Sequence, residues 1–299
     1  MMQKMAKKRK KLKKIGGKSK TQDDNVTFIG LDLAWSPRNP SGCAVIRNER
    51  LVDYCGQLGS DDEIYQYVRE HLEKDAPAII GVDAPIRVPN RTGSRRCDRE
   101  LSAEWRKFEA GALPANRQLL SRGLPPIVEE ASDGSKDATA PKLPVRGELL
   151  TQMLVQRLHF GEIVPIPQRA QDRIICEIFP HPAHVSLFGL DKTLKYKARS
   201  RRDYESRWAE FERYQRYLRS LRKATPALKG TKQLLVNTDV RTLRGKALKE
   251  YEDVLDALSC AYIVSYLWHH GPGSARVYGT LSQGHIIVPI TKEMEKRLG

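Results

Sequence analysis

Nowhere does this sequence hold an apolar run approaching the ~20 residues that a membrane-spanning helix requires. Its first residues are cationic where a secretory signal would have an apolar core. Cysteine is scarce and scattered. Cys43, Cys55, Cys97, Cys176 and Cys260 are an odd count with no paired metal-ligand spacing, which speaks against a disulfide framework and a cysteine zinc site. The expectation is reduced thiols in a reducing compartment, hence an intracellular, cytoplasmic protein with no membrane partner. A serine–histidine or cysteine–histidine motif for covalent catalysis is missing too, and the only Gly-Gly pair, Gly16-Gly17, lies near the N-terminus.

What is present is a composition able to build a core, with 40% apolar and 29% charged residues. The charge is unevenly spread. Of the formal net charge of +16, ten units fall in residues 1–20, which hold no acid, so the remainder carries +6. Residues 1–24 therefore read as a disordered basic tail, too polar to offset its ordering entropy. Such a tail either attracts a polyanion through counterion release or serves as a solubilising extension.

The stretch on which the rest turns is Val26 to Ala34, Val-Thr-Phe-Ile-Gly-Leu-Asp-Leu-Ala. It reads as a buried central strand leading into a polar site. Asp32 could cap a turn before Ser36 and Pro37, but a carboxylate taken out of water is costly unless cations or donors meet it. Three further apolar stretches carry acids at comparable points: Gly81-Val82-Asp83, Cys176-Glu177-Ile178 and Asp253-Val254-Leu255-Asp256. The working expectation is that these five acids meet around divalent metal.

In chain order, Gly42–Arg47 and Leu51–Gln57 read as two strands around Asn48-Glu49-Arg50. A helix capped at Ser60 or Asp61 runs to Lys74, and a fourth strand, Ala78–Val82, stops at Pro85, leaving Asp83 at its C-terminal edge. Ligands collect at such edges in open α/β sheets. Residues 86–144 are irregular. There Arg87, Arg91, Arg95, Arg96 and Arg99 precede a helix through Trp105, and 121–144 reads as a long loop. The arginines suit either phosphates or the neighbouring acids Asp98, Glu100 and Glu104. Glu148–Phe160 is a helix, and Arg173–Phe179 a fifth strand holding Glu177. His181 and His184 lie in what reads as a proline turn, with no cysteine or third histidine nearby; a helix cap or a phosphate hydrogen bond suits them better than zinc. Tyr204–Arg222 is amphipathic. Tyr251–Trp268 reads as a helix with Asp253 and Asp256 on one face of its first turn, and two terminal strands follow at Arg276–Tyr278 and His285–Val288.

Three strands, a helix, then alternating strands and helices, with acids on the first strand, the fourth strand and the last helix, resemble the ribonuclease H-like superfamily. The closing Asp253-x-x-Asp256 is similar to the RuvC resolvase arrangement. More closely, the chain resembles the uncharacterised family called domain of unknown function 429, predicted nucleases of that fold. The matching pieces are Ile29-Gly30-Leu31-Asp32 with Gly42-Cys43-Ala44-Val45, Gly81-Val82-Asp83-Ala84-Pro85 and Arg95-Arg96-Cys97-Asp98-Arg99-Glu100. They continue with Glu177-Ile178-Phe179-Pro180-His181, Tyr196-Lys197, Asp253-Val254-Leu255-Asp256-Ala257-Leu258, and Gly284 with Ile286 to Pro289.

The resemblance implies an α/β fold: one ribonuclease H-like domain over 25–290, with a mixed five-stranded sheet, helices on both faces and a C-terminal strand pair. A helical insertion is expected, with inserted segments at about 86–144 and 185–248. It also implies two-metal hydrolysis of phosphodiester bonds in DNA or RNA. Asp32 would bridge two ions, Asp83 and Asp256 would each complete one shell, and Asp253 or Glu177 would add a ligand. Oxygen ligands favour Mg²⁺ or Mn²⁺. Arg95, Arg96, Arg99, His181 and Lys197 would bind substrate. Two other classes stay open: a catalytically idle nucleic-acid-binding protein of the same fold, and an actin-like phosphotransferase. The latter lacks its phosphate-binding glycine turn, since Trp35-Ser36-Pro37 follows the first acid.

Overall fold

A computed structural model describes residues 25–125 and 143–299, so the basic tail and most of the expected 121–144 loop lie outside the described residues. The chain begins with three antiparallel strands, β1 (Thr27–Asp32), β2 (Ser41–Arg47) and β3 (Arg50–Leu58). Between β2 and β3 only Asn48 and Glu49 intervene, both at positive φ (51° and 60°), as a two-residue hairpin demands. Helix α1 (Asp61–His71) starts at a reciprocal cap between Ser60 and Glu63 and ends three residues short of the expected Lys74. It returns the chain to β4 (Ala78–Val82), which runs parallel to β1.

The segment after β4 contains α2 (Arg96–Trp105) and the short α3 (Arg117–Leu120). Then come α4 (Arg146–Leu158), the two-residue β5 (Gly161–Glu162), β6 (Arg173–Glu177) and α5 (Pro180–Phe188). They are followed by α6 (Tyr204–Ser220), α7 (Lys232–Leu235), α8 (Gly245–His270), β7 (Ala275–Thr280), β8 (Gly284–Pro289) and α9 (Lys292–Leu298). The sheet order is β3-β2-β1-β4-β6-β5, with β4, β6 and β5 parallel to β1; β7 and β8 form a separate antiparallel pair. The sheet thus has six strands rather than five. The sixth is too short to show alternation in sequence.

Both faces of the sheet are covered, and alternate residues serve different cores. Phe28, Ala44, Ile46, Ile79, Ile174 and Cys176 pack with residues of α5, α6 and α8. Ile29, Leu31, Val45, Ile80, Val82 and Ile175 pack with Ile64 and Val68 of α1 and with Leu150 and Leu154 of α4. Helix α8 lies unusually close to the sheet. A Cβ placed on Gly30 would come within 1.9 Å of the Ala257 carbonyl oxygen and 2.2 Å of the Ala261 nitrogen; one on Gly42 would reach within 2.2 Å of the Asp253 oxygen. Glycine at these positions lets the helix backbone rest on the strands.

Two local expectations are corrected. The residues Pro180-His181-Pro182-Ala183-His184 are helical, because a proline in the first turn forfeits no hydrogen bond and presets the backbone. And α8 begins at Gly245, so Asp253 and Asp256 lie in its third and fourth turns, where the helix dipole no longer eases their repulsion. The early turns are polar (Lys246, Lys249, Glu250), so no apolar stripe announces them.

A candidate carboxylate site at the sheet's edge

Register decides which acids can meet. Gly30 of β1 stands beside Gly81 of β4 and Gly81 beside Cys176 of β6. Aligned residues on parallel strands share a face, and alternation then puts Asp32 and Asp83, two residues beyond the glycines, on the α8 side. On α8 the residues against those glycines are Ala257, Cys260, Ala261 and Val264. Asp253 and Asp256 continue that stripe toward the N-terminus of the helix, past the strand ends. Four of the expected acids are thereby gathered: Asp256, Asp83 and Asp253 all act electrostatically on Asp32.

Glu177 is a different case. It aligns with Val82, and Val82 with Leu31, so it belongs to the opposite face. Arg95 donates to both its oxygens, at 2.6 and 2.7 Å, and the Ile86 amide donates at 3.1 Å. Arg95 is itself buried, and its other donors go to Asp98 and the Arg87 carbonyl. Asp98 also accepts from the Ala115 amide. This ion triad fastens the segment after β4 onto the sheet; Arg95 and Glu177 line the same cavity as Asp32 and Asp83, with their charges engaged with each other. Arg96 pairs with Glu100 at 2.6 Å, and Arg99 reaches the Ser94 carbonyl. Neither lines the cavity in front of the acids, whereas His181 and Lys197 do.

That cavity, of about 580 Å³, opens at the C-terminal ends of β1 and β4. The Lys197 ammonium lies among the acids, 2.8 Å from Asp256 Oδ2. Burial works against its charge, but Asp256, Asp32 and Asp83 outweigh burial and hold it well above the ordinary lysine value. Burial likewise pushes Asp32 well above the ordinary carboxylate range; Lys197 opposes this, and the other three acids add to it. Asp83 is pushed up to about 7, by burial first, with Lys197 opposing and Asp256 and Glu177 adding. Asp253 is raised by burial against the pull of Lys249, its ion-pair partner one turn earlier. Only Asp256 is held low. Burial pushes it up, yet Lys197 and the Tyr196 hydroxyl, which donates to Oδ1 at 2.6 Å, outweigh it.

Behind Asp256 is a buried polar layer. The Tyr214 hydroxyl sits 3.2 Å from Asp256 Oδ1 and beside Ser259, and His184 Nε2 lies 3.0 Å from Ser259 Oγ. Burial lowers His184 to about 4 and His181 to about 3, so both imidazoles are neutral near pH 7. His181 Nδ1 meets Thr193 Oγ1 at 2.9 Å. Tyr214 and Lys249 escaped the sequence reading as site residues. Lys249 was legible as the i−4 partner of Asp253; Tyr214 was hidden within the apolar stripe of α6.

The donors suit a hard cation in chemistry: four carboxylates, with burial and like charge raising three of them. Asp256 Oδ2 faces Lys197 but receives no well-directed hydrogen bond, so a buried oxygen retains capacity for a partner. Among the described residues no three His, Cys, Asp or Glu side chains are already drawn to ligating distance of one point. Lys197 and Lys249 instead supply the positive charge.

A family model described as "Protein of unknown function (DUF429)" matches residues 30–280. No curated protein and no solved structure gives a significant match to the chain.

Proposed function

The chain belongs to the DUF429 family, and from that premise we propose that its acid cluster hydrolyses phosphodiester bonds of nucleic acid with the help of Mg²⁺ or Mn²⁺. The observation that carries this reading is the convergence of Asp32, Asp83, Asp253 and Asp256 on one another, with Asp32 and Asp83 lining one cavity and raised by burial that Lys197 opposes without cancelling. Buried like charges are expensive, and perturbed carboxylates in a cleft are candidates for a functional site. The ribonuclease H-like assignment has support from the antiparallel β1–β3 unit, the parallel β4 and β6, and the acids on β1, after β4 and on α8.

Asp32, Asp83, Asp253 and Asp256 would hold the cation. When bound, it would polarise the phosphate and lower the pKa of a water. The protein's own contributions are distinct. Tyr196 and Tyr214 fix the Asp256 carboxylate in one rotamer. Lys197, half-buried at the cavity's edge, is placed to neutralise a substrate phosphate as it enters. Neutral His181, held by Thr193, can hydrogen-bond a phosphate oxygen without adding charge. Displacement of water by a bound substrate would strengthen each of these contacts.

The test is a panel of labelled single-stranded, duplex, hybrid, flap and four-way substrates incubated with Mg²⁺, alongside Mn²⁺ calorimetry. Cleavage with stoichiometric metal binding is expected. Nucleic-acid binding with neither cleavage nor metal uptake would establish the idle binding protein instead.

A further inference from the structure

The cavity's walls carry information beyond its acids. Among the described residues, which include all four tryptophans, Trp35 alone is exposed (40%), while Trp105, Trp208 and Trp268 are buried. Leu113, 59% exposed, lines the same cavity. Trp35 is not on a loose loop. The carbonyls on either side of it, Ala34 and Ser36, accept from the buried Arg146 guanidinium at 2.9 and 3.2 Å, and Arg146 is anchored by Asp61 at 2.7 Å. A fixed aromatic face left open to solvent beside the acids is the arrangement that stacks a base.

Part of the cavity's lining is cationic. Lys195, Lys197, Arg199 and Arg202 all come from the connection between α5 and α6 and line the cavity. Arg202 is turned onto the Lys195 and Lys197 carbonyls and holds that connection in place. Arg199 is exposed, and its side chain makes no ion pair or hydrogen bond among the described residues. Acids from the strand ends, an aromatic platform and an unpaired guanidinium around one cavity match a scissile bond, a base and a phosphate.

We infer that the cavity admits one unstacked nucleotide, its base on Trp35 and its phosphate toward Arg199 and Lys197. The substrate class is then single-stranded nucleic acid or a free nucleotide rather than continuous duplex. This rests on the phosphodiester reading of the same site. At about 580 Å³ the space suits a single small ligand. A base within a duplex has both faces covered by its neighbours, so it reaches Trp35 only after unstacking, which favours strands already open.

The experiment follows tryptophan fluorescence in EDTA, where cleavage is suppressed, during titration with octathymidylate, thymidine monophosphate and a blunt hairpin duplex. Octathymidylate is expected to quench and to bind at least about tenfold tighter than the hairpin. Trp35→Leu should abolish the quench and weaken binding about tenfold, within the range for loss of one stacked base. Arg199→Ala should weaken both and flatten the salt dependence. Saturation by the monophosphate through Trp35 supports the pocket with a free nucleotide as its source. Equal affinity for hairpin and single strand, or a Trp35→Leu protein that binds like the parent, overturns the inference. Cleavage of duplex as fast as single strand would overturn it and leave phosphodiester hydrolysis standing. Trp35-dependent binding without cleavage of anything would do the reverse.

Discussion

At the scale of single residues, the site is a balance between carboxylates that repel and ammonium groups that restrain them. Asp32 is raised by burial and by three neighbouring acids, so its ionised form weakens the fold while serving the site. Asp32→Asn is therefore expected to abolish Mg²⁺-dependent cleavage without lowering the thermal midpoint, as read by oligonucleotide release and calorimetric unfolding. Full turnover in that variant would remove Asp32 from the mechanism. Arg95 is the contrasting case. Its buried guanidinium neutralises Glu177 and Asp98 together; burial works against its charge, but those acids outweigh burial and hold it above the ordinary arginine range. Arg95→Met strands two buried acids, and urea unfolding should report a loss of about 3–5 kcal/mol. A loss under about 1 kcal/mol would mean that the triad is solvated rather than buried. Sequence spacing made the acids legible but not their partners: Glu177 and Arg95 are 82 residues apart in the chain and meet only after folding.

At the scale of elements, the approach of α8 to β1 determines whether the acids can meet at all. Gly30 and Gly42 remove the side chains that would hold the helix off, and Ala257, Cys260 and Ala261 are the residues they admit. Gly30→Ala is expected to force α8 outward, lowering stability by about 2–4 kcal/mol and weakening Mn²⁺ uptake in calorimetry. Unchanged metal uptake would separate the site from this contact. The strands were readable in sequence because they are short, β-branched and bounded by turn residues; Ala78–Val82 matches its expected limits. The α5 helix and the early turns of α8 were not. A proline pair masks a helix start as a turn, and a polar helix end offers no periodicity to detect.

At the scale of the whole molecule, the buried histidines tie stability to pH. His285 is lowered to about 4, by burial first and then by Arg95 and Arg87, and its Nε2 accepts from the Glu177 amide at 3.2 Å. A folded value below the ordinary 6.5 means that the unfolded chain takes up the proton first. Its stabilisation is thus complete above about 6.5 and lost as pH falls toward 4. Asp83, raised to about 7, runs the other way and favours the folded state as pH falls. His285→Gln keeps an acceptor but no titration, so urea unfolding at pH 7 and 4.5 should show the parent losing about 2–3 kcal/mol more than the variant. Equal losses would mean that His285 titrates alike in the folded and the unfolded chain.

The sequence by itself determined the class of the protein: its strand-and-helix order, the acids at strand ends and on the last long helix, and the family that carries them. These are local properties, set by the periodicity of apolar residues and by turn chemistry. Only the tertiary structure decided which acids face one another, because a face is fixed by register between strands. One residue of offset sets Glu177 on the other side of the sheet from Asp32 and Asp83. It also decided that Lys197 lies among the carboxylates, since no chain-local rule brings the connection between α5 and α6 to the end of β1.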